Sequence, residues 1–344
     1  MKEIFISADN TKHIIEQLQN NIGGEISEEW GECVLIVDNN IAKGVVKVVP
    51  FDWGVNLMIY EIKFFEEITL KIEATDFNPI RFIYNLKGEF LHRFGIQSRE
   101  ELIEEFQTLI FTNKTDGFNY IHFKKDVKLE VNIIQIIRKE FLKKKTTKVS
   151  TLSKKLQQVF IDTDHENRFA HHGALNLKMA EYVKKLHKVK GKGMLKILKM
   201  ESQIYEILSI HIQQYERQSQ GVPLPTSLVK SELKKIRRLG EKILNNPALD
   251  YNLEDLSLES GLSQAKLQDG FKFLYTRTVT EYIRHIRLES ARELIRTTDL
   301  NISQVVYTIG FTSRSYFSKI FKEKYGTTPN QFKKQIISKI SVLA

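Results

Sequence analysis

Between Trp30 and Ile137 the apolar residues fall in short runs separated by Asp-Asn, Pro, Gly and Asn. Cys33-Val34-Leu35-Ile36-Val37, Val45-Val46-Lys47-Val48-Val49, Val55 to Tyr60, Ile68 to Ile72 and Ile80 to Tyr84 are examples, all rich in β-branched and aromatic residues. Such runs predict strands. Many of them without long intervening helices predict a barrel or a sandwich. Ser98–Leu109 is the exception, because Ser98 with Glu101 has the spacing of a capping box and predicts a short helix. After Arg138 the period lengthens. Leu152, Leu156, Val159 and Phe160 share a helical face, as do Met179, Val183 and Leu186. Leu195, Leu198, Ile204, Ile207, Leu208, Ile210 and Ile212 form a broad helical stripe, which either pairs subunits or packs within the chain. Arg217–Ser227, with Gln-Ser-Gln-Gly, Pro223 and Pro225, reads as a linker. From Leu228 onward every segment is helical and punctuated. Asn246-Pro247 ends one helix, while Thr278/Glu281, Asn301/Gln304 and Thr328/Gln331 open others, the last with Pro329 in first position.

The helical end contains one pattern twice. Asn252-Leu253-Glu254-Asp255-Leu256-Ser257 leads through Gly261-Leu262-Ser263 to Leu267 and Phe271. Asn301-Ile302-Ser303-Gln304-Val305-Val306 leads through Gly310-Phe311-Thr312 to Phe317 and Phe321. Helix, tight turn with Gly, second helix is how a helix-turn-helix reads. The helix between the copies, Val279 to Arg296, is long enough to hold two reading units about 30 Å apart. One turn of B-DNA is roughly 34 Å, so two recognition helices can enter successive major grooves.

Charge supports that reading through its distribution. The net is +10, yet residues 1–137 hold 14 Lys/Arg against 22 Asp/Glu, residues 138–227 hold 18 against 8, and residues 228–344 hold 20 against 12. An acidic start joined to a basic remainder fits a far end that meets polyphosphate. Cys33 is the single cysteine, which excludes an internal disulfide and an all-cysteine zinc site and fits a reducing compartment. The first residues have no apolar core of signal-peptide length, and no run approaches membrane-spanning length. A cytoplasmic protein is expected.

Residues 230–335 resemble the DNA-binding domain of the AraC family of bacterial transcription regulators. Gly310-Phe311-Thr312-Ser313-Arg314-Ser315-Tyr316-Phe317-Ser318-Lys319-Ile320-Phe321-Lys322, then Tyr325-Gly326-Thr327-Thr328-Pro329, follows that family's signature almost position for position. The first copy, Lys266 to Lys272 with Thr278-Val279, is similar to the subgroup that regulates siderophore uptake, typified by the pyochelin regulator. Four positions depart from the pattern. Ser257 and Val306 stand where Ala is usual at the close approach of two helices. Thr276 replaces the Gly that would cap the first recognition helix in the left-handed region. Asp269 brings a negative charge to a position where a basic or neutral residue is common.

The resemblance implies an α+β chain with a cupin-like β-rich sensing domain over 1–137. A helical connector over 138–216, suited to dimerisation, a linker over 217–229 and the two-motif DNA reader over 230–336 follow. It implies a ligand-responsive regulator, activation being the commoner mode, with promoter DNA, RNA polymerase and a small effector such as a ferric siderophore as partners. Other metabolites are the alternative effectors, and an enzyme fused to a DNA-binding module is the alternative from another class.

In each recognition helix the first two turns face the groove while Leu267, Phe271, Phe317 and Phe321 turn inward. That leaves Ala265, Gln268 and Asp269 in the first copy and Arg314, Ser315 and Lys319 in the second as base readers. Arg314 can grip a guanine edge, Gln268 an adenine, Asp269 a cytosine amino group, and Ala265 a thymine methyl. Lys266, Lys272, Arg287 and Lys322 are assigned to phosphates. The remaining aromatics there, Phe273, Tyr316 and Tyr325, are expected in the core. His165, His171 and His172 fall in an expected loop and are not read as a metal site. No His-x-His pair, Gly-rich phosphate loop or Gly-x-Ser-x-Gly occurs, so neither an enzyme nor a cofactor is expected. Trp30, Phe51, Trp53, Arg81, His92 and Arg93 are the residue types that would line a pocket for an aromatic, chelating or anionic effector.

Overall fold

The computed structural model describes residues 2–144, 148–221 and 228–343. The chain divides into two units, one within residues 1–223 and one within 224–344. Of the expected linker, residues 222–227 lie outside the described residues.

Alternating burial along the first unit's strands shows which sides face inward. The chain order is β1 Lys2–Ile6, α1 Thr11–Ile22, β2 Glu25–Glu29, β3 Glu32–Asp38, β4 Ala42–Phe51, β5 Val55–Phe64, β6 Ile68–Glu73 and β7 Ile80–Lys87. It continues with β8 Phe90–Phe94, β9 Glu101–Ile103, β10 Gln107–Thr112, β11 Phe118–Phe123 and β12 Lys128–Ile136. Then come α2 Arg138–Phe141, α3 Lys154–Ile161, β13 Phe169–Leu175, α4 Leu177–His187 and α5 Gly193–Ser219. Two sheets form, in the orders β1-β6-β11-β8-β9 and β13-β10-β7-β12-β5-β4-β3-β2. Their inner faces share one cluster, in which Leu70, Ile121 and Phe123 of the smaller sheet meet Tyr60, Ile83, Phe111 and Ile133 of the larger. Helix α1 adds Ile14, Ile15, Leu18 and Ile22 to it.

Strand β3 is buried on one side only, through Cys33, Leu35 and Val37. Although the buried polar Arg81, Asn85, Asn132 and Gln135 interrupt their apolar residues, strands β7 and β12 are buried on both sides. The outer layer explains why: the Phe82 ring lies 6.2 Å from Phe160 of α3 and 5.6 Å from His211 of α5. The segment after Arg138 therefore completes the first unit.

Two local expectations fail. Ser98–Leu109 is not a helix; it holds β9 and the start of β10. Phe106, at φ +66°, turns the chain there, its N–H donating to the Asn85 carbonyl at 2.6 Å, and β10 then pairs with β7. Sheet pairing of a β-branched and aromatic run outweighs one capping box. His171 and His172 lie in β13, not in a loop, and pair opposite Ile110 and Leu109 of β10. That pairing covers what would otherwise be an open sheet edge.

The second unit contains α6 Lys230–Asn245, α7 Leu253–Ser260, α8 Gln264–Tyr275, α9 Val279–Thr297, α10 Ile302–Thr308, α11 Arg314–Tyr325 and α12 Pro329–Leu343. Helices α6 and α7 pack with α8, α11 packs with α10 and α12, and α9 touches both groups. Among the described residues no helix is long and apolar enough to cross a membrane.

Candidate nucleic-acid interface

Each motif is set by its caps. In the first, Asn252 Oδ1 accepts the Asp255 N–H at 2.8 Å and Gly261 ends α7 at φ +64°. The Ser257 hydroxyl donates to the Leu262 carbonyl at 2.5 Å, so the Ser that departs from the family pattern ties the turn shut. Ser263 then caps α8 through the Lys266 N–H. In the second, Asn301 and Gln304 form a reciprocal capping box at 2.8 and 2.9 Å. Gly310 adopts φ +78°, and a Cβ there would lie 2.6 Å from the Ala248 carbonyl oxygen, so no larger residue fits. Ser313 caps α11 through the Tyr316 N–H. The distance from first cap to second is one residue greater here, Asn301 to Ser313 against Asn252 to Ser263. Val306, bulkier than the usual Ala, is 1% exposed and packs in the cluster that contains Phe317 and Phe321.

The recognition helices end alike despite their different sequences. Gly326 closes α11 at φ +76°, and Thr276 closes α8 at φ +56° with its N–H on the Lys272 carbonyl at 3.0 Å. The left-handed cap missing from the sequence pattern is thus formed anyway, by a β-branched residue that adopts this region at a cost of about 1–2 kcal/mol. Between the motifs, the 19 residues of α9 span about 28 Å and start from the Thr278/Glu281 capping box.

Leu267, Phe271, Phe317 and Phe321 are fully buried, which fixes the outward faces of α8 and α11. Ala265, Asp269 and Lys272 are exposed on α8, and Arg314, Ser315, Lys319 and Lys322 on α11. The other three proposed contacts are engaged within the protein. Gln268 is half-buried and its Oε1 accepts the Val279 N–H at 3.1 Å, capping α9. Lys266 is exposed but ion-paired to Glu232 at 2.5 Å. Arg287 donates to the carbonyls of Pro247 at 2.9 Å and Leu249 at 2.8 Å and lies over the Phe311 ring. It braces the loop under the second motif. Tyr316, expected in the core, is 46% exposed on the first turn of α11, beside Arg314 and Ser315. Its place among the first-turn residues was the available signal, and its aromaticity obscured it. The α11 face carries three exposed cations and the α8 face sets Asp269 between Lys266 and Lys272, so the second motif presents the more positive surface.

The six sensor residues do not converge. Trp30 is 61% exposed at the turn between β2 and β3. Trp53 stacks on Tyr205 of α5 at 4.3 Å and donates to Glu201 at 2.9 Å. Arg93 faces outward, over Tyr120 and bonded to the Ile96 carbonyl. Phe51 lines a cleft of about 1030 Å³ together with Thr11, Lys12, Cys33, Asn56 and Phe77. Arg81 and His92 alone point between the sheets, both against Phe111. His165 packs with the buried Arg138 guanidinium at 2.7 Å, and His171 bonds to Gln218 of α5. Among the described residues, no group of three or more His, Cys, Asp or Glu is placed to hold a metal ion.

Residues 256–335 match the family described as a helix-turn-helix domain. The HTH-type transcriptional regulator MtrA of Neisseria gonorrhoeae is 26% identical over 129 residues, 38% of this chain and 43% of MtrA. Histidine kinase P4 of Formosa agariphila is 36% identical over 107 residues, 31% of this chain and 8% of the kinase. A solved transcriptional regulator from Chromobacterium violaceum, titled as containing an AraC-type DNA-binding domain, is 25% identical over 30% of this chain and 91% of its own, with a TM-score of 0.28. The chain thus spans less than half the length of either curated relative. The C-terminal unit therefore contains a helix-turn-helix domain, and the relatives that match this stretch include an HTH-type transcriptional regulator.

Proposed function

We propose that this chain is a cytoplasmic, ligand-responsive transcription regulator. It binds promoter DNA through α8 and α11 and senses a small molecule in its β-rich first unit. The observation that carries the reading is the pair of capped helices with exposed polar faces, set at the two ends of one rigid 19-residue helix. Arg314, Ser315 and Lys319 read bases, Ala265 and Asp269 read more weakly, and Lys272 and Lys322 hold phosphates. Gln268 and Arg287 act as scaffold and Lys266 as a conditional contact. Effector binding biases the sensor between states that present the readers differently, with activation through RNA polymerase as the output. Met194, Leu195 and Leu198 on α5 are 74%, 65% and 52% exposed, an apolar strip that supports homodimer formation. The likeness of the first motif to siderophore-uptake regulators makes a ferric siderophore the first effector to try, ahead of other metabolites.

Two measurements test this. Fluorescence anisotropy with duplexes from upstream of the gene should give affinity that falls steeply with salt and discriminates among sequences; equal binding to all duplexes would refute specific regulation. Thermal unfolding with ferric siderophores, their iron-free forms and common metabolites tests the sensor. A ligand at a hundred times its dissociation constant adds about 2.7 kcal/mol of apparent stability. A shift with one ferric siderophore and not its iron-free form identifies the signal, and a shift only with other metabolites discards the iron reading.

A further inference from the structure

Among the described residues, the interior of the β-rich unit holds a cation without a counter-ion. Arg81 on β7 is 4% exposed, and its one hydrogen bond among the described residues is a long 3.4 Å contact from Nη1 to the Pro79 carbonyl. No carboxylate pairs with it among the described residues. Its inward direction follows from register. It pairs opposite Gln135 of β12 and Phe111 of β10, lies two residues from the core residue Ile83, and has its guanidinium 5.5 Å from the Phe111 ring centre. Burial lowers its pKa to about 10, which still leaves it charged near neutrality.

The surroundings supply donors and aromatic surface. Across the interior, His92 of β8 is 2% exposed, 4.5 Å from Phe111, and its Nε2 has no hydrogen-bond partner. Asn119 of β11, on the same sheet, is fully buried with its Nδ2 unpartnered. A row of facing residues leads from Arg81 outward: Gln135 beside it, then Asn56 of β5, which lines the cleft of about 1030 Å³. Thr11, at the first turn of α1, bridges that row, donating to Gln135 at 3.0 Å and accepting from Asn56 at 2.5 Å.

A buried, unpaired guanidinium is expensive in a protein that must fold without a counter-ion. A carboxylate satisfies it with two parallel N–H···O bonds. We infer that Arg81 is the anchor of the effector site, and that the effector is a small organic carboxylate seated between the sheets, its acid group on Arg81 and its body against Phe111 and His92. The inference rests on the ligand-responsive reading and names the ligand's chemistry.

The test uses the full chain and intrinsic fluorescence, since both tryptophans, Trp30 and Trp53, belong to the first unit. Its unfolding temperature is measured with sodium acetate, butyrate, hexanoate and benzoate, with benzamide and hexanamide, and with sodium chloride at matched ionic strength. At least one carboxylate should raise the transition beyond sodium chloride, with its amide inert, and Arg81→Met should weaken that binding at least tenfold. The ligand-free Arg81→Met chain should unfold at or above the wild-type temperature, because an unpaired charge is replaced by an apolar side chain of similar length. If Arg81→Met unfolds lower or fails to fold, the cation is structural and the inference falls. It falls equally if carboxylates act only as sodium chloride does, or if their effect survives Arg81→Met. A ferric siderophore or neutral metabolite that stabilises both chains keeps the sensor and overturns the anchor. DNA affinity on the same preparations reports separately on the regulator reading.

Discussion

Replacing His211 by Leu should make the first unit more stable at neutral pH and less sensitive to acid. His211 lies on α5, 2% exposed, its ring in T-shaped contact with Phe82 and neither ring nitrogen hydrogen-bonded among the described residues. Burial pushes its pKa down to about 3, against about 6.5 for an unfolded histidine. The folded pKa is depressed, so the unfolded chain binds the extra proton between those values. The stability this histidine contributes is therefore complete above pH 6.5 and falls as pH drops toward 3. At pH 5 the loss is about 2 kcal/mol for this one residue. His92, also held near 3, adds a second contribution of the same sign. The assay is urea denaturation followed by tryptophan fluorescence, which reports the first unit alone, at half-unit steps from pH 7.5 to 4.5. Wild-type stability should fall below pH 6.5 and the His211→Leu chain should lose about 1.4 kcal/mol less per pH unit. At pH 7.5 the variant should gain about 1 kcal/mol, because two buried unpaired nitrogens are gone. Parallel pH profiles for the two chains would show that His211 is charged or hydrated when folded, and the reasoning would be wrong.

Other consequences concern the DNA-binding unit. Thr276→Gly should raise its unfolding free energy by about 0.5–1 kcal/mol, the relief of a left-handed Thr less the added flexibility of the unfolded chain; unchanged far-UV dichroism melting would contradict the strain. Gly310→Ala should destabilise the second motif by at least about 2 kcal/mol and abolish specific binding, because the Ala248 carbonyl occupies the place of the new methyl. Arg314→Ala should cost about 1–3 kcal/mol on the best duplex and flatten preference at one base position, whereas Lys322→Ala should weaken all duplexes alike and reduce the salt slope by about 1. Identical profiles for those two variants would erase the division between base and phosphate contacts. Glu232→Gln frees Lys266 from its ion pair and should tighten DNA binding by up to about fivefold at low salt; no change would mean that Lys266 does not reach a phosphate.

The DNA-binding end was legible residue by residue because helix signals are local. An Asn or Thr cap, a Gly past the end and apolar residues at helical spacing act within one or two turns, so Thr278 with Glu281 and Asn301 with Gln304 cap where the pattern places them. The second recognition helix, however, starts from Ser313, one residue later than the first copy would suggest. The strand-rich start was legible as a class for a similar reason, period-two runs being enough to announce sheets. Partners were decided elsewhere. Nothing near Ser98–Leu109 announces that β10 will pair with β7 and β13, and nothing near His171 announces a strand, because strand pairing joins residues far apart in the chain. Side-chain roles divide the same way. Sequence position put Lys266, Gln268 and Arg287 at the interface, yet an ion pair, a helix cap and two loop carbonyls engage them, and each partner lies on another element. Residue type put Arg81 and His92 among six pocket candidates, but nothing along the chain separates those two from Trp30, Trp53 and Arg93, which face elsewhere. Only the packing of two sheets buries Arg81 without a counter-ion among the described residues, because burial and unmet charge are properties of the assembled fold.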